Sequence, residues 1–146
     1  FSIKELARVA SSQGITISIE NSGQSIRALH MLVEICRDGL PNNLGDFLGL
    51  CPDPANQIGK QPDMDPLEDL EKLPLDMLKI VHFKQIRNGN ILPTVESGEL
   101  DCSDMIQILK SKQYAGPAIF EIPSSQNVFE NLSNSFDYIQ AFDPQA

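Results

Sequence analysis

The chain has few cysteines and no long apolar run, and each shortage excludes a class of protein. Its 146 residues contain three cysteines, Cys36, Cys51 and Cys102, and none of them forms a CxxC pair. A disulfide framework or a cysteine-based zinc site is therefore not expected, and a reducing, cytoplasmic compartment is favoured. No run of eighteen apolar residues is present, which argues against a transmembrane helix.

Basic residues are also scarce. Eleven Lys and Arg stand against 20 Asp and Glu, which gives a formal net charge of −9. Sequence-independent binding to nucleic acid needs a basic surface that displaces counterions, and docking on an anionic membrane needs the same sign of charge. We therefore expect neither a nucleic acid nor a membrane as a partner.

The overall composition indicates one folded domain, covering residues 1–146. Hydrophobic residues make up 41% of the chain and charged residues 21%, which is enough for a buried core. The chain begins with Phe1, and Ser2 with Glu5 forms a capping-box pattern at the start of an amphipathic helix, unlike a signal peptide. We expect the chain to be part of a longer protein.

Hydrophobic periodicity predicts a helix followed by four β–α units. A first helix ends at Gly14, and the later helices span residues 24–38, 65–73, 101–109 and 127–142. Asp65 and Asp101 are the predicted N-caps of the third and fourth helices, and a proline-rich loop from Pro52 to Pro62 precedes Asp65. Strands are predicted at residues 15–21, 47–53, 78–85 and 116–123, with a polar loop between the last two. This alternation predicts an α/β fold with parallel strands and right-handed crossovers.

An ionisable side chain lies at or near the C-terminal end of each predicted strand. By the alternation of side chains along a strand, Glu20, Asp53, His82 and Glu121 all point away from the continuously apolar faces that helices would cover. Three carboxylates and an imidazole meeting there would need a cation, and such donors suit Mn²⁺, Mg²⁺ or a related divalent ion. Taken singly, each residue also has an ordinary interpretation: a cap, a turn residue, a core histidine or a solvent-facing acid.

Four segments in order resemble a known superfamily. The segments Ile19-Glu20-Asn21, Leu50 to Asn56, Val81 to Lys84 and Tyr114 to Ile122 are similar to the C-terminal half of xylose isomerase-like TIM barrels. This superfamily includes sugar phosphate isomerases and epimerases, tagatose-type 3-epimerases, hydroxypyruvate isomerase, inosose dehydratase and endonuclease IV. The resemblance implies four strands of a (β/α)₈ barrel, which needs eight β/α units and typically about 250 residues. We therefore expect a missing N-terminal half-barrel, or a homo-oligomer partner, to complete the fold.

The resemblance also implies a function. It makes Glu20, Asp53, His82 and Glu121 the ligands of one divalent ion, with Mn²⁺ or Mg²⁺ favoured and Co²⁺ or Zn²⁺ as further candidates. It implies a small-molecule sugar, sugar phosphate or keto-sugar substrate that is isomerised or epimerised by α-proton abstraction through an enediolate. Glu20 and Glu121 are the implied acid/base pair. Asn56, Lys84 and Arg87 are the implied substrate contacts, although many members carry His at the position of Asn56 and an Arg one residue beyond Arg87.

Two other functions stay open and a third is disfavoured. An inosose-type dehydratase would use the same metal and the same proton removal, and a non-catalytic barrel would bind a sugar without turning it over. An abasic-site endonuclease needs a three-metal cluster with additional histidines and a basic DNA track. Asn56 and the acidic charge argue against that activity.

Overall fold

A computed structural model describes residues 2–61 and 63–142. The helices are α1 (Ile3–Ser12), α2 (Ile26–Asp38), α3 (Pro54–Gln57), α4 (Pro66–Lys72), α5 (Cys102–Ser111) and α6 (Val128–Phe142). The strands are β1 (Ile17–Glu20), β2 (Leu48–Cys51), β3 (Val81–Phe83), β4 (Ile86–Arg87), β5 (Asn90–Ile91) and β6 (Ala118–Phe120). Short 3-10 turns at Asn42–Phe47 and Leu75–Met77 lead into β2 and β3.

Four parallel strands form the centre of the fold. Strand β1 pairs with β2, and β3 pairs with β6, both in parallel register. A parallel bridge between Leu50 and Leu78, just before β3, and the hydrogen bond from His82 N to Pro52 O (3.1 Å) put β3 beside β2, so the strands follow the order β1-β2-β3-β6. The predicted α/β fold with parallel strands is confirmed, although every strand is shorter than its hydrophobic pattern suggested.

The helices cover one face of this sheet and form the core. Leu48 and Leu50 of β2 are almost fully buried, since their side chains pack into the cluster that the helices line. Helices α2, α4 and α5 supply most of the facing side chains: Ile26, Leu29, Val33, Leu70, Met105, Ile106 and Leu109. Burial of apolar surface on this side stabilises the fold by about 25 cal/mol per Å². The opposite face of the strands is left for polar groups.

The helix starts follow the predicted capping residues. Ser2 and Glu5 form a reciprocal capping box at α1, while Asp65 and Asp101 accept backbone N–H groups at the starts of α4 and α5. Gly14, with a φ of +68°, follows α1 in the left-handed conformation that glycine adopts without strain. Among the described residues, no helix is long and apolar enough to cross a membrane.

Two parts of the chain differ from the predicted loops. The proline-rich segment after β2 contains the one-turn helix α3, which begins at Pro54; Pro62, the predicted end of that loop, lies outside the described residues. The polar loop after β3 contains the antiparallel hairpin β4–β5, turned by Asn88 and Gly89, both with positive φ. An Asn-Gly pair of this kind is typical of a tight hairpin turn, but strands of two residues are too short for periodicity to reveal.

Candidate functional site

Four ionisable side chains meet at the C-terminal ends of the parallel strands. Glu20 is the last residue of β1, Asp53 follows β2 directly before α3, His82 is in β3, and Glu121 follows β6. Each offers one ligand atom, and these four atoms all lie within 4.8 Å of one another. The structure thus brings together all four residues that were predicted from the sequence as metal ligands.

Strand register explains why residues so far apart in sequence converge. Parallel pairing places Glu20 beside Cys51, two residues before Asp53, and places His82 beside Ile119, two residues before Glu121. The ladder continues beyond the strands, because the His82 amide donates to Pro52 O (3.1 Å) and the Glu121 amide donates to Phe83 O (3.0 Å). Side chains two residues apart share a face, so the four groups point to the same side of the sheet.

The imidazole of His82 lies at the centre of the cluster. Its Nδ1 is 3.1 Å from Glu121 Oε2, 3.6 Å from Glu20 Oε1 and 4.0 Å from Asp53 Oδ2. Two ligands of one ion, each about 2.1 Å from it, lie at most about 4.2 Å apart. All three distances fall within that limit, so this part of the cluster has the dimensions of a metal site without rearrangement of the backbone.

Lys84 lies at the edge of the cluster, on the same face as His82. Its Nζ is 2.8 Å from Asp53 Oδ2 and 2.9 Å from Glu121 Oε1, and its side chain is only 4% exposed. Burial alone would lower the pKa of Lys84, but its contacts with Asp53 and Glu121 outweigh burial and raise that pKa. Lys84 is therefore a buried ammonium that neutralises part of the carboxylate charge.

The two carboxylates beside Lys84 differ in their surroundings. Asp53 is fully buried, and burial raises its pKa despite the opposing effect of Lys84. Glu121 is 40% exposed. Burial would raise the pKa of Glu121 too, but the hydrogen bond from Lys84 and the charge of Lys84 outweigh burial and lower that pKa. Glu121 is therefore held as a carboxylate near neutral pH, as a metal ligand or a general base requires.

The carboxylate of Asp53 has its two oxygens in different roles. Oδ1 accepts the backbone N–H of Asn56 at the start of α3 (3.1 Å). Oδ2 is buried and, although within ion-pair distance of Lys84, receives no well-directed hydrogen bond from the described part of the chain. The Lys84 ammonium at 2.8 Å offsets only part of the cost of burying this oxygen. The orientation of Oδ2 into a set of oxygen and imidazole donors fits a divalent cation.

The remaining predicted substrate contacts are placed differently. Asn56 lies in α3, and its Nδ2 donates to Glu20 Oε1 (2.8 Å), so it is part of the same cluster of contacts. Arg87 lies in β4, where its guanidinium donates to Ser97 O (3.3 Å). None of the hydrogen bonds or ion pairs described for Arg87 within residues 2–61 and 63–142 reaches the four clustered side chains. Substrate binding by Asn56, Lys84 and Arg87 stays a prediction.

Two buried amides support the site and were not nominated from the sequence. Asn21 is fully buried and exchanges two hydrogen bonds with the backbone of Asp53, each 2.8 Å long. Gln57, also fully buried, accepts the Ile26 N–H (2.8 Å) and donates to Asp69 Oδ2 (3.0 Å). The only signal for Asn21 and Gln57 in the sequence was their position next to Glu20 and Asn56, since a loop residue and a helix of four residues give no periodic pattern.

Comparisons with known proteins identify the family and the fold of this chain. The family model of the xylose isomerase-like TIM barrel matches residues 1–142. No curated protein shows significant similarity to the chain. Among solved structures, a xylose isomerase domain protein from Planctomyces limnophilus is 19% identical, with a TM-score of 0.76 over 95% of this chain and 50% of that one. The predicted partial TIM barrel is confirmed by these matches.

Two further solved structures share this architecture. The IolI protein, crystallised with a zinc atom, is 16% identical, with a TM-score of 0.74 over 96% of this chain and 54% of that one. An uncharacterized protein from Parabacteroides distasonis is 22% identical, with a TM-score of 0.59 over 93% of this chain and 52% of that one. The chain therefore spans about half the length of the solved structures that it matches.

Proposed function

Since this chain belongs to the xylose isomerase-like TIM barrel family, we propose that it supplies the metal-binding half of a sugar isomerase or epimerase. The substrate class is a sugar, sugar phosphate or keto-sugar. The observation that carries the proposal is the convergence of three carboxylates and one imidazole within 4.8 Å at the strand ends. The active face of TIM barrels is at this end of the strands.

Glu20, Asp53, His82 and Glu121 would hold one divalent ion. Oxygen donors with a single imidazole favour Mn²⁺ or Mg²⁺, while Co²⁺ and Zn²⁺ fit the same set of donors. The zinc in the IolI protein, a relative of the same fold, is consistent with the latter. When bound, the ion supplies Lewis acidity that polarises a sugar carbonyl and lowers the pKa of the neighbouring C–H group.

Glu20 and Glu121 would act as the acid/base pair. Glu20 ends β1 and Glu121 follows β6, the two outer strands of the order β1-β2-β3-β6, so one carboxylate would approach a substrate from each side. Their side chains are 37% and 40% exposed, in contrast to the fully buried Asp53, and so are accessible to a substrate. One carboxylate would remove the α-proton to give an enediolate, and the other would return a proton from the opposite side.

The other polar residues would hold and orient the reacting groups. Lys84 keeps Asp53 and Glu121 in place through ion pairs of 2.8 and 2.9 Å, and its charge favours an anionic transition state close by. The Oδ1 of Asn56 would accept a hydrogen bond from a sugar hydroxyl, and Arg87 would contact a more distant part of the substrate. These three contacts belong to the proposal and rest on the family pattern.

Deuterium exchange tests the proposed chemistry directly. We would incubate the barrel that contains this chain with Mn²⁺ and a panel of ketoses in D₂O, and follow the α-proton by NMR. The proposal predicts deuterium incorporation together with a new isomer or epimer. In Glu20→Gln and Glu121→Gln the rate falls by about 10²–10⁴-fold, the usual contribution of a general acid or base.

The control is Glu34→Gln, which makes the same chemical change at an exposed position of α2. It should leave the exchange rate unchanged. Loss of a β-hydroxyl instead of isomerisation would assign a dehydratase, and sugar binding without any exchange would assign a non-catalytic barrel. Either result would contradict the proposed isomerase or epimerase.

A further inference from the structure

The side chain of Asn56 is fully engaged on its donor side. Its Nδ2 donates to Glu20 Oε1 (2.8 Å) and to Asn21 O (2.9 Å), which accounts for both amide hydrogens. Because both partners are acceptors, the orientation of the amide is fixed by chemistry. Asn56 is thus a direct hydrogen-bond donor to the Glu20 carboxylate.

The backbone that carries Asn56 is anchored on both sides. Three residues earlier, Asp53 is held by the double hydrogen bond with the buried side chain of Asn21. One residue later, the buried side chain of Gln57 is held between Ile26 N and Asp69 Oδ2, and Asp69 is in turn paired with Arg27 at 2.9 Å. Helix α3 has only four residues, so its position is set by these flanking bonds. The side-chain amide of Asn56 is consequently held in a fixed position, from which it donates to Glu20.

The side chain of Glu20 depends on this hydrogen bond, because Glu20 has the fewest other contacts among the carboxylates nearest His82. Asp53 is fully buried and Glu121 is bound by Lys84. Glu20 is 37% exposed, and among the described residues its ion-pair contact is the 3.6 Å one with His82 Nδ1, with no lysine or arginine paired to it. The hydrogen bond from Asn56 fixes the Oε1 atom that faces His82. Without that bond, the glutamate side chain has free rotamers that point into solvent.

We propose that Asn56 is a positioning residue that fixes the Glu20 carboxylate for metal binding and proton transfer, an inference that rests on the proposed function. An asparagine suits this role because its amide donates without changing charge at any working pH. Partners that orient a ligand from outside the metal's own coordination typically change metal affinity or activity by 10–100-fold when removed. The expected effect of losing Asn56 is of that size.

A substitution at Asn56 isolates the bond to Glu20. Asn56→Leu keeps a similar shape but removes the donor, while the cap bond to Asp53 Oδ1 comes from the backbone N–H and survives. We would titrate Co²⁺ alone into the barrel that contains this chain and follow its visible absorption, comparing wild type, Asn56→Leu and the exposed control Asn43→Leu. Asn56→Leu should weaken Co²⁺ binding about 10–100-fold, and Asn43→Leu should leave it unchanged.

The same titration in a Glu20→Ala background, which removes the acceptor of the Asn56 bond, tests whether Asn56 acts through Glu20. In that background, Asn56→Leu should change Co²⁺ affinity by less than about threefold, because the two changes are coupled. Circular dichroism checks folding, and Asn56→Ala replaces the Leu variant if that variant does not fold. Unchanged affinity in the single variant, or an equally large loss in both backgrounds, would overturn the positioning role. Failure of wild type to bind Co²⁺ would instead overturn the proposed metal site itself.

Discussion

Lys84 shows how one residue can dominate the electrostatics of the candidate site. Three carboxylates lie close together, and within the described part of the chain Lys84 is the lysine or arginine that the structure pairs with them, at 2.8 Å from Asp53 and 2.9 Å from Glu121. Like charges at such distances repel strongly in a poorly solvated site. Before any metal binds, the ammonium is therefore the main source of compensation.

Replacing Lys84 should destabilise the metal-free protein. Breaking a buried ion pair by removing one partner typically costs about 3–5 kcal/mol, because the other charge stays buried and unpaired. We expect Lys84→Met to lower the free energy of unfolding by about this amount in EDTA, and by less with saturating Mn²⁺, since the cation offsets the carboxylate charge. Urea denaturation measures both values, with Lys60→Met at an exposed loop position as the control. Equal stability of Lys84→Met and wild type in EDTA would refute this account of Lys84.

At the residue level, the sequence was sufficient to locate the four clustered groups. Glu20, Asp53, His82 and Glu121 stood at equivalent strand ends, and parallel strands bring such ends together. The sequence could not show that Asn56 donates to Glu20, nor that Arg87 donates to Ser97 O. Those contacts depend on the path of short non-periodic segments, namely the turn of α3 and the β4–β5 hairpin.

At the level of elements, capping residues were the most reliable local signals. Ser2, Asp65 and Asp101 each accept backbone N–H groups at the start of the helix predicted for them. The strands were predicted too long, because flanking apolar residues such as Ile15 and Ile122 continue the hydrophobic pattern beyond the strands that form. The hairpin β4–β5 and the helix α3 were missed because two to four residues show no measurable period.

Helix α5 provides a test of capping and its pH dependence. Asp101 Oδ1 accepts from Ser103 Oγ (2.6 Å) and from the backbone N–H groups of Ser103 and Asp104 (2.9 and 3.0 Å). The hydrogen bond from the Ser103 side chain, with that from the Asp104 backbone, lowers the pKa of Asp101 below its ordinary value. The ionised form is therefore favoured by folding, so its contribution is present above the unfolded-state pKa and is lost as pH falls through the lowered folded-state pKa.

We expect Asp101→Ala to lower the free energy of unfolding by about 1 kcal/mol at pH 7. The difference from wild type should shrink as the pH is lowered below about 4, the ordinary pKa of an aspartate. Asp101→Asn is the matched variant, because asparagine caps about as well as aspartate and does not titrate. Chemical denaturation at pH 7 and pH 3 measures the effect. A difference between Asp101→Ala and wild type that grows on acidification would contradict the cap assignment.

At the level of the whole molecule, the described sheet has two open sides. In residues 2–61 and 63–142, β1 pairs only with β2 and β6 pairs only with β3, so each outer strand has one unpaired edge. Apolar side chains are exposed on β6 and on α1 and α6, including Ile119 at 45%, Val9 at 62% and Phe129 at 83%. We expect a further half-barrel or a second copy to cover these surfaces, as the half-length match to the solved structures also suggests.

Metal content is the most direct test of the central claim that this half-barrel carries the metal site. The chain, and the barrel that contains it, would be loaded with Mn²⁺, desalted and analysed by mass spectrometry, with His82→Ala and Glu121→Gln as site variants and Glu34→Gln as the surface control. We predict close to one ion per chain in wild type and in Glu34→Gln, and its loss in both site variants. Absence of bound metal from the wild-type barrel, or full retention in His82→Ala, would contradict the claim.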